Sequence, residues 1–195
     1  MFRISQQKAK SIFTRIAIFT VLVINLTGCN SIIESNQPER TVWLSSLNLQ
    51  KMTSGWGTPQ KDKSIQNKPL QIGGVTYENG VGTHANSVMH VDLKGTCRRF
   101  SAYIGVDDEV IDKTGSVRFR IYADGNRIYD SGVIKAGEKA KYVDIDLTGR
   151  KILKLVVDAA GDSTSYDHAN WAQAAFTVSG KDPEAVDESS ENSQL

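Results

Sequence analysis

The sequence predicts an all-β protein built as a jelly-roll-like antiparallel β-sandwich. Three observations support this: hydrophobic residues repeat with a period of two in several short segments, Gly, Asp and Asn separate those segments, and a helical repeat is almost absent. The 195 residues are 39% hydrophobic and 23% charged. This composition suits a globular domain and excludes a collagen, a coiled-coil rod and a fully disordered chain.

The first 28 residues have the pattern of a secretory signal peptide. A positively charged segment containing Arg3 and Arg15 precedes an apolar run over residues 16–26. As a helix rising 1.5 Å per residue, this run would be roughly 16 Å long, well short of the ~30 Å hydrocarbon core of a bilayer. We therefore expect the segment to direct export and to be removed.

The residues that follow, Leu26-Thr27-Gly28-Cys29, resemble the lipobox of bacterial lipoproteins. The resemblance implies cleavage before Cys29 and acylation of that residue, so that lipid chains anchor the protein to a membrane; each buried CH₂ contributes about 0.8 kcal/mol. It also implies a cell-envelope location. The residue after the cysteine is Asn30 and not Asp. In a Gram-negative source, the lipoprotein pattern would then favour the outer membrane. The alternative is a plain signal peptide with a chance cysteine.

Charge and cysteine content narrow the function further. Without the four basic residues of the leader, 19 basic and 22 acidic residues remain, so nucleic-acid binding is not expected. Cys97 is the second of only two cysteines, and no intramolecular disulfide is expected because we expect Cys29 to carry the lipid. We expect Cys97 to be a half-buried small hydrophobic residue without reactivity.

The chain divides into four segments by composition. We expect residues 1–28 to be the leader, 29–40 the lipidated cysteine and a polar tether, 41–180 the folded β-sandwich, and 181–195 an acidic disordered tail. Alternating patterns predict strands at 88–93, 100–106, 117–122, 142–147, 153–157 and 174–178. Asp124-Gly125 predicts a hairpin turn. One helical turn is expected near Asp167–Gln173, with Asp167 as its N-cap.

A series of short motifs between Trp43 and Ser179 resembles, in order, the NPCBM domain, which is related to carbohydrate-binding module family 51. The motifs are Trp43-Leu44-Ser45-Ser46-Leu47, Ser54-Gly55-Trp56-Gly57, Ile72-Gly73-Gly74-Val75-Thr76-Tyr77, Gly80-Val81-Gly82-Thr83-His84-Ala85-Asn86-Ser87, residues 99–109, Tyr122-Ala123-Asp124-Gly125, Tyr129-Asp130-Ser131-Gly132 and Val156-Val157-Asp158-Ala159-Ala160-Gly161-Asp162. The resemblance implies a β-sandwich that binds sugars, often galactose-containing ones, without cleaving them.

Sugar recognition requires an aromatic face for the pyranose ring and fixed polar groups for its hydroxyls. Trp56 lies between two glycines and is a candidate platform; alternatively, its indole folds back and plugs the end of the sandwich. His84 and Asn86 are alternate residues and would point the same way in an extended chain. They are candidate ligands for sugar hydroxyls, although such residues near glycines also bond to loop backbone.

A second loop, over residues 158–173, is rich in oxygen ligands. Related sandwich modules hold a structural Ca²⁺ near such loops, and this resemblance implies Asp158, Asp162 and Asp167 as candidate ligands; because Ca²⁺ takes 6 to 8 oxygens, backbone carbonyls and water would complete the shell. The alternative is a hydrogen-bonded loop without metal. The related family usually reads Asp-His-Ala-Asp-Trp-Ala-Asp here, and this chain has Asn170 and Gln173 where acids are common. We expect Trp171 to belong to the core.

An enzyme is not expected. Glycoside hydrolysis needs two carboxylates facing each other across a cleft, and the run Asp107-Asp108-Glu109 is typical of a solvated loop at a strand end. The predicted function is a lipid-anchored envelope protein that binds carbohydrate without catalysis. The alternative is a structural or adaptor lipoprotein whose sandwich has lost sugar binding and contacts an envelope protein instead.

Overall fold

The structure, a computed structural model, describes residues 37–161 and 163–188. Predictions for the leader, for Cys29 and for Asp162 lie outside these residues. No helix in the described part of the chain is long and apolar enough to cross a membrane. The described strands are β1 (Arg40–Trp43), β2 (Gln60–Lys61), β3 (Leu70–Ile72), β4 (Val75–Tyr77), β5 (Gly80–His84), β6 (Ser87–Asp92), β7 (Cys97–Val106), β8 (Ser116–Ala123), β9 (Asn126–Lys135), β10 (Lys141–Asp146), β11 (Ile152–Asp158), β12 (His168–Val178) and β13 (Glu184–Val186).

Two antiparallel sheets and one small hairpin contain these strands. The larger sheet has the order β10-β7-β12-β5-β2, with β1 also pairing with β12. The second sheet has the order β13-β6-β11-β8-β9, and β3 and β4 form the separate hairpin. Every described strand pair is antiparallel. The prediction of an all-β antiparallel fold is therefore confirmed.

The hydrophobic core lies between the two sheets and contains side chains from both. The alternating residues of β8 and β10 turn inward as predicted, with Phe119 and Val143 buried. Trp171 of β12 is fully buried and meets the Phe119 ring edge-on at a centroid distance of 4.8 Å. Its predicted core position is confirmed, and such edge-to-face aromatic pairs add to the free energy gained from burial.

The turn at Asp124-Gly125 joins β8 to β9 as predicted. Both residues have positive φ, 50° and 77°, which is the requirement that Asp-Gly meets in a tight hairpin. The Asp124 carboxylate also accepts hydrogen bonds from the backbone N–H groups of Lys151 and Ile152. The hairpin is thus tied to the start of β11.

The predicted helical turn at Asp167–Gln173 is wrong, because residues 168–173 form the start of β12. This strand pairs with β5 on one side and β7 on the other, and two sets of ladder hydrogen bonds outweigh a local capping signal. Asp167 instead accepts a hydrogen bond from the backbone N–H of Ser116, 51 residues away in the chain.

The prediction of disorder from Lys181 onward is wrong at Glu184–Val186, which forms β13 on the edge of the second sheet. Ala185 is buried there, and Glu184 forms an ion pair with Lys94 at 2.9 Å. The acidic composition suggested disorder, but the acidic residues of this segment form ion pairs with basic residues of the domain. The ordered C-terminal segment therefore extends beyond Gly180.

Loops cover the outer side of the larger sheet near the end of β5. Gly82 of β5 lets the backbone of Lys63 and Ser64 approach so closely that an added Cβ would lie 2.3 Å from the Lys63 carbonyl oxygen. A 3₁₀ turn, Asp108–Val110, follows β7. The Asp108 carboxylate accepts hydrogen bonds from the N–H groups of Gly73 and Gly74 in the β3–β4 turn.

Candidate functional site

A pocket open to solvent lies where β5 ends and β12 begins. His84 and His168 occupy these two strand ends and stand directly opposite each other in the antiparallel register, so their side chains lie on the same face of the sheet. Their ring centroids are 5.3 Å apart. The cavity has a volume of about 480 Å³, within the range of small-molecule sites. Its described lining residues are Gly55, Trp56, Gln66, His84, Thr164, Ser165, Tyr166 and His168.

Trp56 forms the exposed aromatic wall of this pocket. Its side chain is 53% exposed, and its indole lies nearly parallel to the His168 ring, at 18° and a centroid distance of 5.7 Å. The His84 ring meets the same indole edge-on at 5.8 Å. The structure therefore places the indole at the rim and not as a plug of the sandwich.

The loop that carries Trp56 is held against the end of β5. Gly55 donates its N–H to the His84 carbonyl at 3.2 Å, and the Ser54 hydroxyl accepts from the His84 N–H and donates to the Trp56 carbonyl. A Cβ on Gly55 would lie 2.2 Å from the Ala85 carbonyl oxygen. Only glycine allows this approach, so the local sequence itself fixes the indole beside His84.

His84 is buried, and one of its ring nitrogens is already engaged. Nδ1 lies 2.7 Å from the Ala85 carbonyl oxygen, which can only accept, so Nδ1 carries the proton. Burial lowers the pKa of His84, and the neighbouring His168 lowers it further, while the bond to Ala85 opposes this. A neutral His84 therefore leaves Nε2 as a hydrogen-bond acceptor for a ligand.

His168 is backed by a buried carboxylate that comes from the 3₁₀ turn after β7. Its Nδ1 lies 2.7 Å from Glu109 Oε1, and the two side chains are 6% and 2% exposed. The other carboxylate oxygen of Glu109 accepts from the Ser64 hydroxyl at 2.7 Å. Burial alone raises the pKa of Glu109, but the hydrogen bonds from His168 and Ser64 outweigh it and the pKa is lowered.

His168 and Glu109 were not among the site residues predicted from the sequence. The acids of residues 107–109 were expected to be solvated, yet Asp107 is buried and caps the 3₁₀ turn by accepting from the Glu109 N–H. Glu109 reaches His168 across 59 positions of chain. The sequence around His168 does not reveal this contact, because the partner is distant in the chain.

Asn86, predicted beside His84, is not among the described residues that line the pocket. Residues 85 and 86 form the bend between β5 and β6, and Asn86 is exposed. The alternation rule applies only to extended chain, so it does not bring these two side chains together here.

The predicted calcium ligands that are described each have protein partners. Asp158 forms an ion pair with Arg120 at 2.9 Å and accepts from the Ala160 N–H, and Asp167 accepts from Ser116. Within residues 37–161 and 163–188, no group of three or more His, Cys, Asp or Glu side chains is placed to hold a metal ion. The calcium site, with Asp158, Asp162 and Asp167 as ligands, stays a prediction.

The pocket combines an exposed indole with ring nitrogens on its inner wall. Tyr166, 46% exposed, adds a second aromatic side chain at the rim, where its backbone lies against Gly115 so closely that a Cβ there would be 2.1 Å from the Tyr166 carbonyl oxygen. Among the described lining residues none is Asp, Glu, Lys or Arg. This arrangement can bind a neutral ligand with one apolar face and several hydroxyls.

Solved structures of carbohydrate-binding modules resemble this fold. The CBM51 of Clostridium perfringens GH95, in complex with methyl-galactose, is 33% identical with a TM-score of 0.67, covering 71% of this chain and 100% of that one. The CBM51-2 and INT domains of Clostridium perfringens ZmpB, in complex with GlcNAc, are 31% identical with a TM-score of 0.67, covering 71% of this chain and 32% of that one.

Two curated relatives match the same region. The alpha-1,3-galactosidase B of Akkermansia muciniphila is 35% identical over 128 residues, which are 64% of this chain and 16% of that protein. A relative from Renibacterium salmoninarum is 35% identical over 133 residues, 65% of this chain but only 9% of its own length. The match is thus a small part of each larger protein.

The model of the NPCBM/NEW2 domain matches residues 40–177, and the chain belongs to this carbohydrate-binding module family.

Proposed function

We propose that this protein binds a neutral hexose of the galactose type in the Trp56–His84–His168 pocket and breaks no bond in it. The observation that carries the proposal is the exposed indole of Trp56 set beside two buried imidazoles. The indole offers a face on which the apolar side of a pyranose can stack. The imidazoles offer ring nitrogens at fixed positions for the hydroxyls.

The charge of the lining supports a neutral sugar. No described lining residue is acidic or basic except the two histidines, and burial keeps the pKa of His84 low. A sialic or uronic acid would bring an unpaired carboxylate to this wall, which costs binding free energy. The galactose type is proposed because the similar CBM51 from Clostridium perfringens GH95 holds methyl-galactose.

The position of the carboxylates supports binding without hydrolysis. Glycosidases place two carboxylic groups about 5 to 9.5 Å apart on either side of the scissile bond. Glu109, the acid that contacts the lining residue His168, is buried and bonded to His168 and to Ser64. It therefore faces the protein and not the cavity.

We propose an envelope location for the domain, with Cys29 as the lipid attachment site. The support comes from the order of charge, apolar run and Leu26-Thr27-Gly28-Cys29 in the sequence. The domain would then hold its pocket at the surface of a membrane. An adaptor lipoprotein that binds an envelope protein and no glycan is the outcome that would replace the sugar-binding proposal.

Isothermal titration of the full-length chain with methyl galactoside, N-acetylglucosamine and a charged uronic acid tests the binding. We expect galactoside binding that Trp56→Ala and His84→Ala each weaken by about tenfold or more, equivalent to roughly 1.4 kcal/mol. Asn86→Ala, exposed and outside the pocket lining, is the matched control and should bind as the unmodified chain does.

Three results would contradict the proposal: no sugar bound across a wide glycan panel, equal binding by the Trp56 variant, or turnover of a chromogenic galactoside. Repeating the titration with calcium and with a chelator tests the predicted metal dependence separately. A loss of binding with chelator that calcium restores would support a calcium site.

A further inference from the structure

The hydrogen bonds behind the two histidines fix more than their positions. Each imidazole has one nitrogen pointing into the protein and bonded there, His84 to the Ala85 carbonyl and His168 to the Glu109 carboxylate. In both cases the contact is the Nδ1 atom, at 2.7 Å. The nitrogen that remains for a ligand is therefore Nε2 in both rings.

Both protein partners can only accept a hydrogen bond. A carbonyl oxygen has no proton to donate, and Glu109 is held in its ionised form by donors on both oxygens, His168 and Ser64. Nδ1 must therefore be the donor in both rings, and a neutral ring then has its lone pair on Nε2. The partner of Nδ1 decides the hydrogen-bonding character of the opposite nitrogen.

The Glu109 contact is built to persist. Its carboxylate and the His168 ring are almost fully buried, Ser64 is fully buried, and the Ser64 hydroxyl is held in turn by the N–H of Lys68 at 3.1 Å. The backbone of Glu109 is fixed by the Asp107 carboxylate, which accepts from its N–H at 2.8 Å. Water has little access to replace any of these bonds.

We propose that Glu109, supported by Ser64, is a positioning residue that makes His168 a hydrogen-bond acceptor, so that the pocket selects sugars offering two hydroxyl donors. One hydroxyl donates to His84 Nε2 and the other to His168 Nε2. The ring centroids are 5.3 Å apart, close enough for two hydroxyls of one pyranose to reach both rings. This inference rests on the proposed function for its ligand, but not for the role of Glu109.

The proposal distinguishes sugars by the direction of their hydrogen bonds. A hydroxyl can donate or accept, whereas a fluorine in its place can never donate. If both histidines accept, a deoxyfluoro galactoside altered at either position should bind about tenfold or more weakly, because a buried acceptor is left without a donor. A deoxy galactoside altered at the same position should lose a similar factor.

Nitrogen-15 NMR of the histidine side chains in the full-length chain tests the role of Glu109 without any sugar. At a pH well above the ordinary imidazole pKa of about 6.5, we expect His168 to show the Nδ1–H form. In Glu109→Gln the amide can donate to Nδ1, so a population with the proton on Nε2 should appear. A proton on Nε2 in the unmodified chain, or the same spectrum in both proteins, would overturn the proposal.

Titration of the same proteins with the deoxyfluoro series tests the selection of donors. In Glu109→Gln, affinity for the unmodified galactoside should fall about tenfold. The fluorine penalty at one of the two positions should then shrink, because His168 no longer requires a donor. Asp112→Asn removes an exposed carboxylate three residues away and should change neither the NMR spectrum nor the penalties.

The two proposals fail in different ways. If galactoside binds and every deoxyfluoro analogue binds equally well, the selection of donors is wrong while the sugar-binding function stands. If no sugar binds, the proposed function fails, and the NMR spectra still decide whether Glu109 sets the proton on His168. Melting temperatures and backbone spectra of the variants show whether a loss reflects misfolding.

Discussion

Asn170 and Asp107 form a buried polar pair behind the site. Neither side chain is accessible to water, and the Asn170 amide nitrogen donates to the Asp107 carboxylate. Burial raises the pKa of Asp107, while the bonds from Asn170 and from the N–H groups of Glu109 and Gln71 oppose that rise. An amide at position 170 thus supplies a donor where an acid would supply a second charge.

We predict that Asn170→Asp destabilises the fold by about 2 to 4 kcal/mol near neutral pH. The variant brings two buried carboxylates into contact and removes a donor, so the folded pKa values lie above the unfolded value near 3.9. A group with a raised folded pKa loses stability as the pH rises through this window. The penalty should therefore be small near pH 3 and full near pH 7.

Chemical denaturation of both proteins at several pH values measures this difference. Asn86→Asp introduces the same charge at an exposed position and should leave the free energy of unfolding nearly unchanged. A penalty for Asn170→Asp that does not depend on pH would contradict the argument.

At the level of single residues, the sequence predicts the position of a side chain where that position depends on its nearest neighbours in the chain. Trp56 between two glycines and His84 at a strand end both lie in the pocket. Glu109 and His168 were not predicted as site residues, because their contact depends on how β7 and β12 pair. No local pattern reveals this pairing. The predicted position of Asn86 beside His84 is wrong because a local pattern was misread: a bend replaces the expected extended chain.

Among the structural elements, β12 joins the pocket to the core. Its first residue, His168, lines the cavity, and three residues later Trp171 is fully buried between the sheets. The strand pairs with neighbours on both sides, so the position of His168 depends on the packing of the whole sandwich. Local sequence around residue 167 favoured a helical turn because it contains none of this pairing information.

The edge strand β13 makes its own contribution to stability. We predict that truncation after Pro183 destabilises the domain by about 1 to 3 kcal/mol, because it exposes the edge of β6 and removes buried Ala185 and the Lys94–Glu184 ion pair. Thermal unfolding of the two proteins measures the loss.

Truncation after Glu188 retains β13 and is the matched control, and it should unfold at the temperature of the full chain. Equal melting temperatures of both truncated proteins would show that β13 adds nothing to stability.

The sequence reveals the hairpin at Asp124-Gly125 because its turn requires particular residues. It does not reveal β13, whose pairing depends on a partner almost 100 residues away.

At the scale of the whole molecule, the proposed anchor makes one residue decisive. We predict that Cys29→Ser moves the protein from the membrane fraction to the soluble fraction of cells, because the thiol that accepts the lipid is lost. Fractionation with mass spectrometry of the amino-terminal peptide checks this and identifies the attached acyl chains.

Cys97→Ser is the control, since Cys97 is buried and burial raises its pKa to about 12, which keeps the thiol unreactive. This variant should stay with membranes. Recovery of both variants in the same fraction, or an amino-terminal peptide without lipid, would exclude the anchor.

The two ends of the folded domain meet beside each other. The Arg40 guanidinium bonds to the Gly180 carbonyl and to Asp182, and Arg40 is in register with Val178, the last residue of β12. His168 is the first residue of that strand, so at about 3.4 Å per residue the cavity lies roughly 30 Å from the end of the domain where Arg40 and Gly180 meet. Copies of the domain immobilised at this end would leave their cavities free, and a branched saccharide could engage several of them at once, which raises the overall affinity above that of one pocket.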